Sequence, residues 1–186
     1  GTATPLDELA GMAQGTLRYE LKSLTTIKGH ANLMISGFRA RGAALGAKPV
    51  TFRNIAVENR AELDEGGTGT QSTIVKLDDF ATLTSDGSFT DLARASGSYR
   101  GKLTLDADIA GLTRAAGGII RMKEGVKLEG KLALAADFEG KTVDRAASDV
   151  DAGVVLTLTQ LKGVDARGRP LPSDNSASLT AKGKSL

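Results

Sequence analysis

The chain has no cysteine and no tryptophan, one histidine, four prolines, and only two tyrosines and five phenylalanines among 186 residues. Without cysteine there is no disulfide, no zinc–thiolate site and no thiol nucleophile. The single histidine, His30, has no second histidine or cysteine to share a metal with and no Glu-x-x-His spacing, which predicts a surface or strand-edge side chain. With aromatics at 4 % of residues, few large rings are available to anchor a core, and Leu and Ala must supply most of the apolar surface. No apolar run approaches the ~20 residues of a membrane-spanning helix.

Charge of one sign is lacking too. Lys and Arg number 24 against 22 Asp and Glu, a net charge of +2, and the two signs alternate along the chain. Nucleic-acid binding wants a clustered positive stripe, so no nucleic-acid partner is expected. The first residue is Gly1 and not Met, so the chain is expected to be processed or to be one segment of a longer protein. Any signal peptide or membrane anchor would then lie outside it, and membrane association would come only through that missing segment.

What is present is period-two patterning. Leu17, Tyr19 and Leu21 alternate with Arg18, Glu20 and Lys22, and Ala31, Leu33 and Ile35 with His30, Asn32 and Ser36. The clearest strand runs from Gly97 to Ile109, with Tyr99, Leu103, Leu105 and Ala107 on one face and Arg100, Lys102, Thr104 and Asp106 on the other. Leu132, Leu134, Ala136 and Phe138 repeat the pattern, as do Val154, Leu156 and Leu158, and then Ala177, Leu179 and Ala181. Alternation of this length means one dry face and one wet face.

Glycine reads as punctuation: Asp64-Glu65-Gly66-Gly67, Ser85-Asp86-Gly87 and Glu139-Gly140-Lys141 carry turn chemistry. The stretch from Arg145 to Asp151 reads as a loop, and Gly168 to Pro172 as a second loop or the end of the ordered sheet. Two short helices are expected. One covers about 4–13, where Thr4 and Pro5 suit a start and Leu6, Leu9 and Met12 share a helical face. The other covers about 112–122, weakened by Gly117-Gly118. The fold class is therefore all-β: a long antiparallel meander curled into an open trough or a sandwich-like sheet, with one or two short helices. It forms a single β-rich domain over residues 1–186, or a segment of a longer β structure.

Constellations for chemistry are missing. The carboxylate pairs Asp78-Asp79, Asp106 with Asp108, and Asp149 with Asp151 lack a Ca²⁺-loop signature, and a solvated sheet face explains them. No Gly-x-Ser-x-Gly elbow occurs, and Gly66-Gly67-Thr68-Gly69 lacks the lysine and helix of a phosphate loop. No enzyme activity, cofactor or metal is expected. The feature left over is the Leu and Ala stripe, which reads either as an ordinary β core or as a groove for acyl chains, since small side chains leave space that rings would fill. The groove candidates are Leu103, Leu105, Leu132, Leu134, Leu156 and Leu158.

Several segments resemble the AsmA-like envelope proteins, the TamB and AsmA type. They are Phe80 to Phe89, the stretch from Leu103 to Gly140, which contains Leu105-Asp106-Ala107-Asp108-Ile109-Ala110-Gly111-Leu112 and the strand Gly125 to Leu132, and Thr26 to Leu33. The resemblance implies a curled sheet with an apolar inner groove, in the periplasm or cell envelope of a diderm bacterium, engaged in lipid transfer or outer-membrane assembly. Phospholipid acyl chains are the partner it implies. The alternative is a structural β protein that pairs through its sheet edges with other copies or with envelope proteins.

Overall fold

The computed structural model describes residues 6–21, 26–91, 96–117, 123–143 and 146–184. They form nine strands: β1 (Leu6–Leu21), β2 (Ile27–Gly42), β3 (Gly46–Leu63), β4 (Gly69–Leu77), β5 (Ala81–Thr90), β6 (Ser96–Asp108), β7 (Lys127–Val143), β8 (Ala146–Val164) and β9 (Asp174–Lys184). All nine lie in one sheet in chain order, each antiparallel to its predecessor. The chain is thus an antiparallel meander, and it is open: β1 and β9 are its two edges. The sandwich form is not realised, because the described strands make one sheet and not two. At about 20° of twist per strand pair, nine strands cannot lie flat.

Among the described residues the one α-helix is α1 (Ile109–Ala115), directly after β6. It begins three residues before the expected Leu112 because Asp108 caps it: its carboxylate accepts the Gly111 N–H at 3.0 Å. Residues 118–122 of the expected helix lie outside the described residues. The helix expected over about 4–13 is not formed. Residues 6–13 belong to β1, while Thr4 and Pro5 lie outside the described residues. The register of β1 against β2 slips between Leu6 and Glu8 and again between Ala10 and Met12. The first puts an extra residue on β1 and the second an extra residue on β2, and together they break the alternation of β1 against its partner, so apolar residues three apart arise without a helix.

Two of the expected turns are strand interiors. Ser85-Asp86-Gly87 lies inside β5 and Glu139-Gly140-Lys141 inside β7, and 146–151 of the expected loop belong to β8. Asp64 to Thr68 does turn, with the Asp64 carboxylate accepting the Thr68 N–H at 2.8 Å. The β8–β9 connection also contains its expected loop, fixed by Asp165, which accepts the N–H groups of Arg167 and Arg169 at 2.8 and 2.9 Å. Those bonds and the Arg169 guanidinium hold the Asp165 carboxyl below its ordinary value.

The mid-strand glycines receive rings. A β-carbon at Gly101 would collide with the Phe138 ring, one at Gly140 with the Tyr99 ring, and one at Gly29 with the Tyr19 ring. In each case the aromatic sits on the adjacent strand directly opposite the glycine. The missing side chain is the space the ring occupies.

Buried apolar side chains are few and small: Ala40, Val50, Ala81, Ala107, Ile109 and Ala115. They gather toward the end of the sheet where α1 sits. There the β4–β5 turn leaves β3 overhanging, and α1 fills the gap, touching β3, β6 and β7. Phe38, Phe52 and Phe80 follow one another with ring centroids 6.0 and 6.1 Å apart, the first pair tilted and the second stacked, and Phe80 lies against Gly111 of the helix. The Phe80 carbonyl accepts the Asp108 N–H at 2.7 Å, joining turn to helix.

Candidate apolar binding face

The strand registers place side chains in transverse rows. One row reads Leu33, Val57, Val75, Leu83, Leu105, Leu134, Leu156 and Leu179, each opposite the next across β2 to β9. The neighbouring row reads Ile35, Ile55, Leu77, Ala81, Ala107, Leu132, Leu158 and Ala177. Sixteen positions on one face are therefore aliphatic, without a charge or a hydroxyl. At about 4.8 Å between strands, each row extends about 33 Å.

All six leucines singled out from the sequence share this face. Leu105, Leu134 and Leu156 are consecutive in the first row and Leu132 and Leu158 adjacent in the second. Leu103 lies in a third row, opposite Ala136, which faces Val154. Each is shielded on its sides by neighbours in its own sheet, and none is fully buried. No second layer covers the first row, whereas Ala81 and Ala107 of the second row are buried toward the end of the sheet where α1 packs. Apart from α1 and a short 3-10 turn (Ala43–Leu45), every described element is a strand of this same sheet. Sequence reasoning chose these leucines by alternation alone. It missed that Leu33, Val57, Val75, Leu83 and Leu179 continue the same row, because register between strands is not written in a single strand.

The opposite face carries the charge. Lys28, Glu62, Arg100, Glu139 and Asp151 share one row, and His30, Arg60, Asp86, Lys102 and Asp137 another. Lys28 Nζ meets Glu62 Oε1 at 3.0 Å and the Arg100 guanidinium meets Glu139 Oε2 at 2.9 Å, both directly across strands. Glu62 holds the Lys28 ammonium above its ordinary value. His30 sits exposed between Arg18 and Arg60, a strand position with no carboxylate or histidine opposite. Of the carboxylate pairs, Asp78 accepts the Asn54 N–H at 2.7 Å and Asp79 pairs with Arg53 at 3.5 Å. Asp108 caps α1, and the Gly111 N–H, aided by Lys131 at 3.4 Å, holds its carboxyl below the ordinary range. These are local structural roles. Among the described residues no group of three His, Asp or Glu side chains is placed to hold a metal.

The larger clefts open among these charged side chains, one of them lined by Arg100, Glu139, Lys141 and Asp151. The aliphatic face is instead a broad, shallow surface. It is interrupted at one place. Asn59, Thr73 and Ser85 stand where the third row crosses β3 to β5, with Gln71 next to them on β4. Tyr19 reaches from β1 over Gly29 to donate its hydroxyl to Asn59 Oδ1 at 2.5 Å. Asn59 Nδ2 in turn donates to Thr73 Oγ1 at 2.7 Å, and Gln71 Nε2 donates to the same oxygen.

Both edges of the sheet carry exposed apolar side chains. On β1, Leu17 and Leu21 are 73 % and 68 % exposed, and on β9 Leu179 is 66 % exposed.

Comparison of the chain with protein-family models, with curated proteins and with solved structures finds no match.

Proposed function

We propose that this chain is a non-enzymatic carrier surface for lipid acyl chains, working in the cell envelope as the AsmA-like proteins it resembles in sequence are expected to do. One observation carries the reading. Two adjacent aliphatic rows run without a charge across eight strands, and the first of them is covered by no other element of the described fold, while the second is buried only at Ala81 and Ala107. A surface of that composition gains free energy from contact with hydrocarbon, roughly 0.8 kcal/mol per methylene removed from water. The direction of the rows suits the ligand. An acyl chain spans one leaflet, about half of the ~30 Å hydrocarbon core, and so fits lengthwise within a row. An open face also lets a chain enter and leave sideways without unfolding a lid. In this reading the charged face stays in water.

The test is native mass spectrometry of the protein after incubation with phospholipid vesicles and re-isolation. Adducts of phospholipid mass are expected. A bare protein mass under conditions that preserve non-covalent complexes refutes the reading.

A second reading has its own support. The exposed leucines of β1 and β9 sit on strands whose outer hydrogen-bonding edges are free in the meander order, which suits pairing with another strand. Here the chain is an assembly element. Analytical ultracentrifugation separates the two: concentration-dependent oligomers in the absence of lipid favour edge pairing, and a monomer that takes up lipid favours the carrier.

A further inference from the structure

We infer that the polar interruption of the aliphatic face is a site for the ester carbonyl of an acyl lipid. The inference rests on the reading of that face as an acyl-chain surface and adds which part of the lipid is read. The chemistry follows from counting donors and acceptors. Thr73 Oγ1 accepts from both Asn59 Nδ2 and Gln71 Nε2, which occupies its two lone pairs. Its own proton is then left to donate. Gln71 Nε2 keeps a second N–H after its bond to Thr73. Ser85 lies directly opposite Thr73 on β5 and adds a third neutral donor. Three neutral donors thus occupy neighbouring positions on a face that carries no cation in these rows.

An ester carbonyl is an acceptor without a charge, and it matches this set. A phosphate or carboxylate would sit there without a counter-charge, at a cost in desolvation. The position is right as well. Val75 of the aliphatic row is two residues from Thr73 along β4, and Leu83 two residues from Ser85 along β5, about 7 Å in each case. A carbonyl held at Thr73 therefore starts its hydrocarbon chain at the row that runs on through Leu105, Leu134 and Leu156. The Tyr19–Asn59 bond fixes the Asn59 amide, and the amide fixes the Thr73 hydroxyl, so the donor is oriented before any ligand arrives.

The experiment is displacement of a fluorescent acyl probe by hexadecane and by methyl palmitate, both delivered from cyclodextrin, on the whole chain. Methyl palmitate is expected to compete about five- to tenfold better than hexadecane, the gain of one or two hydrogen bonds. Ser85→Ala and Thr73→Val are each expected to reduce that preference about two- to fivefold, with hexadecane competing as before. Thr73→Val leaves two N–H groups without their acceptor, so its far-UV circular dichroism is checked. Ser85→Ala breaks no side-chain bond among the described residues and stands alone if the other variant misfolds. Equal competition by the two ligands in the wild-type chain, or a preference untouched by Ser85→Ala, overturns the carbonyl site and leaves the acyl surface standing. Failure of hexadecane to displace the probe overturns the acyl surface, and the carbonyl site with it.

Discussion

Leu134→Lys distinguishes an open apolar face from a closed core, and the structure sets the size of its effect. Leu134 lies at the centre of the first row, between Leu105 and Leu156, with Leu132 and Ala136 beside it on the same face of β7. Its neighbours shield its sides while its tip faces outward. Full burial of a leucine is worth about 1.5–3 kcal/mol, so the partial burial here is worth about 1–2 kcal/mol. A lysine recovers some of that through its methylenes, which can lie along the row while the ammonium extends into water. The expected cost is therefore about 1 kcal/mol, a drop of about 2–4 °C in Tm for a chain of this length. In a closed core the same change would bury an unpaired ammonium and prevent folding. The effect on lipid runs the other way and is large, because the ammonium stands in the middle of the acyl path. Thermal melts followed by far-UV circular dichroism, with native mass spectrometry of the vesicle-treated protein, read both quantities. A variant that cannot fold would show that the face is covered. One that folds and takes up lipid as the wild-type chain does would show that lipid binds elsewhere.

The ring-on-glycine pairs predict that Gly101→Val, whose β-carbon collides with the Phe138 ring, destabilises by about 1–3 kcal/mol in a urea titration, even though valine is the better strand former. Phe138→Ala in the same background should restore part of the loss; full additivity of the two changes would contradict the pairing. Asp108→Ala should cost about 1 kcal/mol through loss of the α1 cap. Because the folded carboxyl lies below its ordinary value of 3.8, its contribution is complete above that pH and is lost as pH falls through the native value. The variant should thus show a shallower loss of stability than the wild-type chain as pH falls below the ordinary carboxyl value of 3.8. Leu179→Lys, on the exposed edge strand β9, should leave the melting temperature nearly unchanged and weaken any lipid-free self-association seen by ultracentrifugation.

Much of the architecture is legible in single strands. Alternation of Leu103, Leu105 and Ala107 with Lys102, Thr104 and Asp106 states which side of β6 is dry, and the same holds for β7, β8 and β9. The errors have a common origin in glycine and in bulges. Gly87 and Gly140 carry the chemistry of turns, but in the sheet they are strand interiors, and at Gly140 the space serves Tyr99. A glycine that makes room for a ring on the next strand looks locally the same as a glycine that makes a turn. Leu6, Leu9 and Met12 are spaced as on a helix, because two slips of register between β1 and β2 break an alternation of two.

The candidate site divides the same way. The six leucines were identifiable because facing is a property of one strand. That they adjoin one another, that Leu33 and Leu179 lie on the same line, and that Thr73 gathers two amides required the registers, which are fixed by pairing between segments.

The sequence by itself determined the all-β class, the separation of charge from aliphatic side chains onto two faces, and the absence of residues for thiol or thiolate-metal chemistry. Those are consequences of residue type and of a two-residue period. Whether the aliphatic faces would close on each other was decided only by the tertiary structure, where nine strands follow one another in chain order and leave both edges and one apolar face open. The reason is that closure depends on which strand lies beside which and on how twist accumulates between them, and both are sums over the whole sheet.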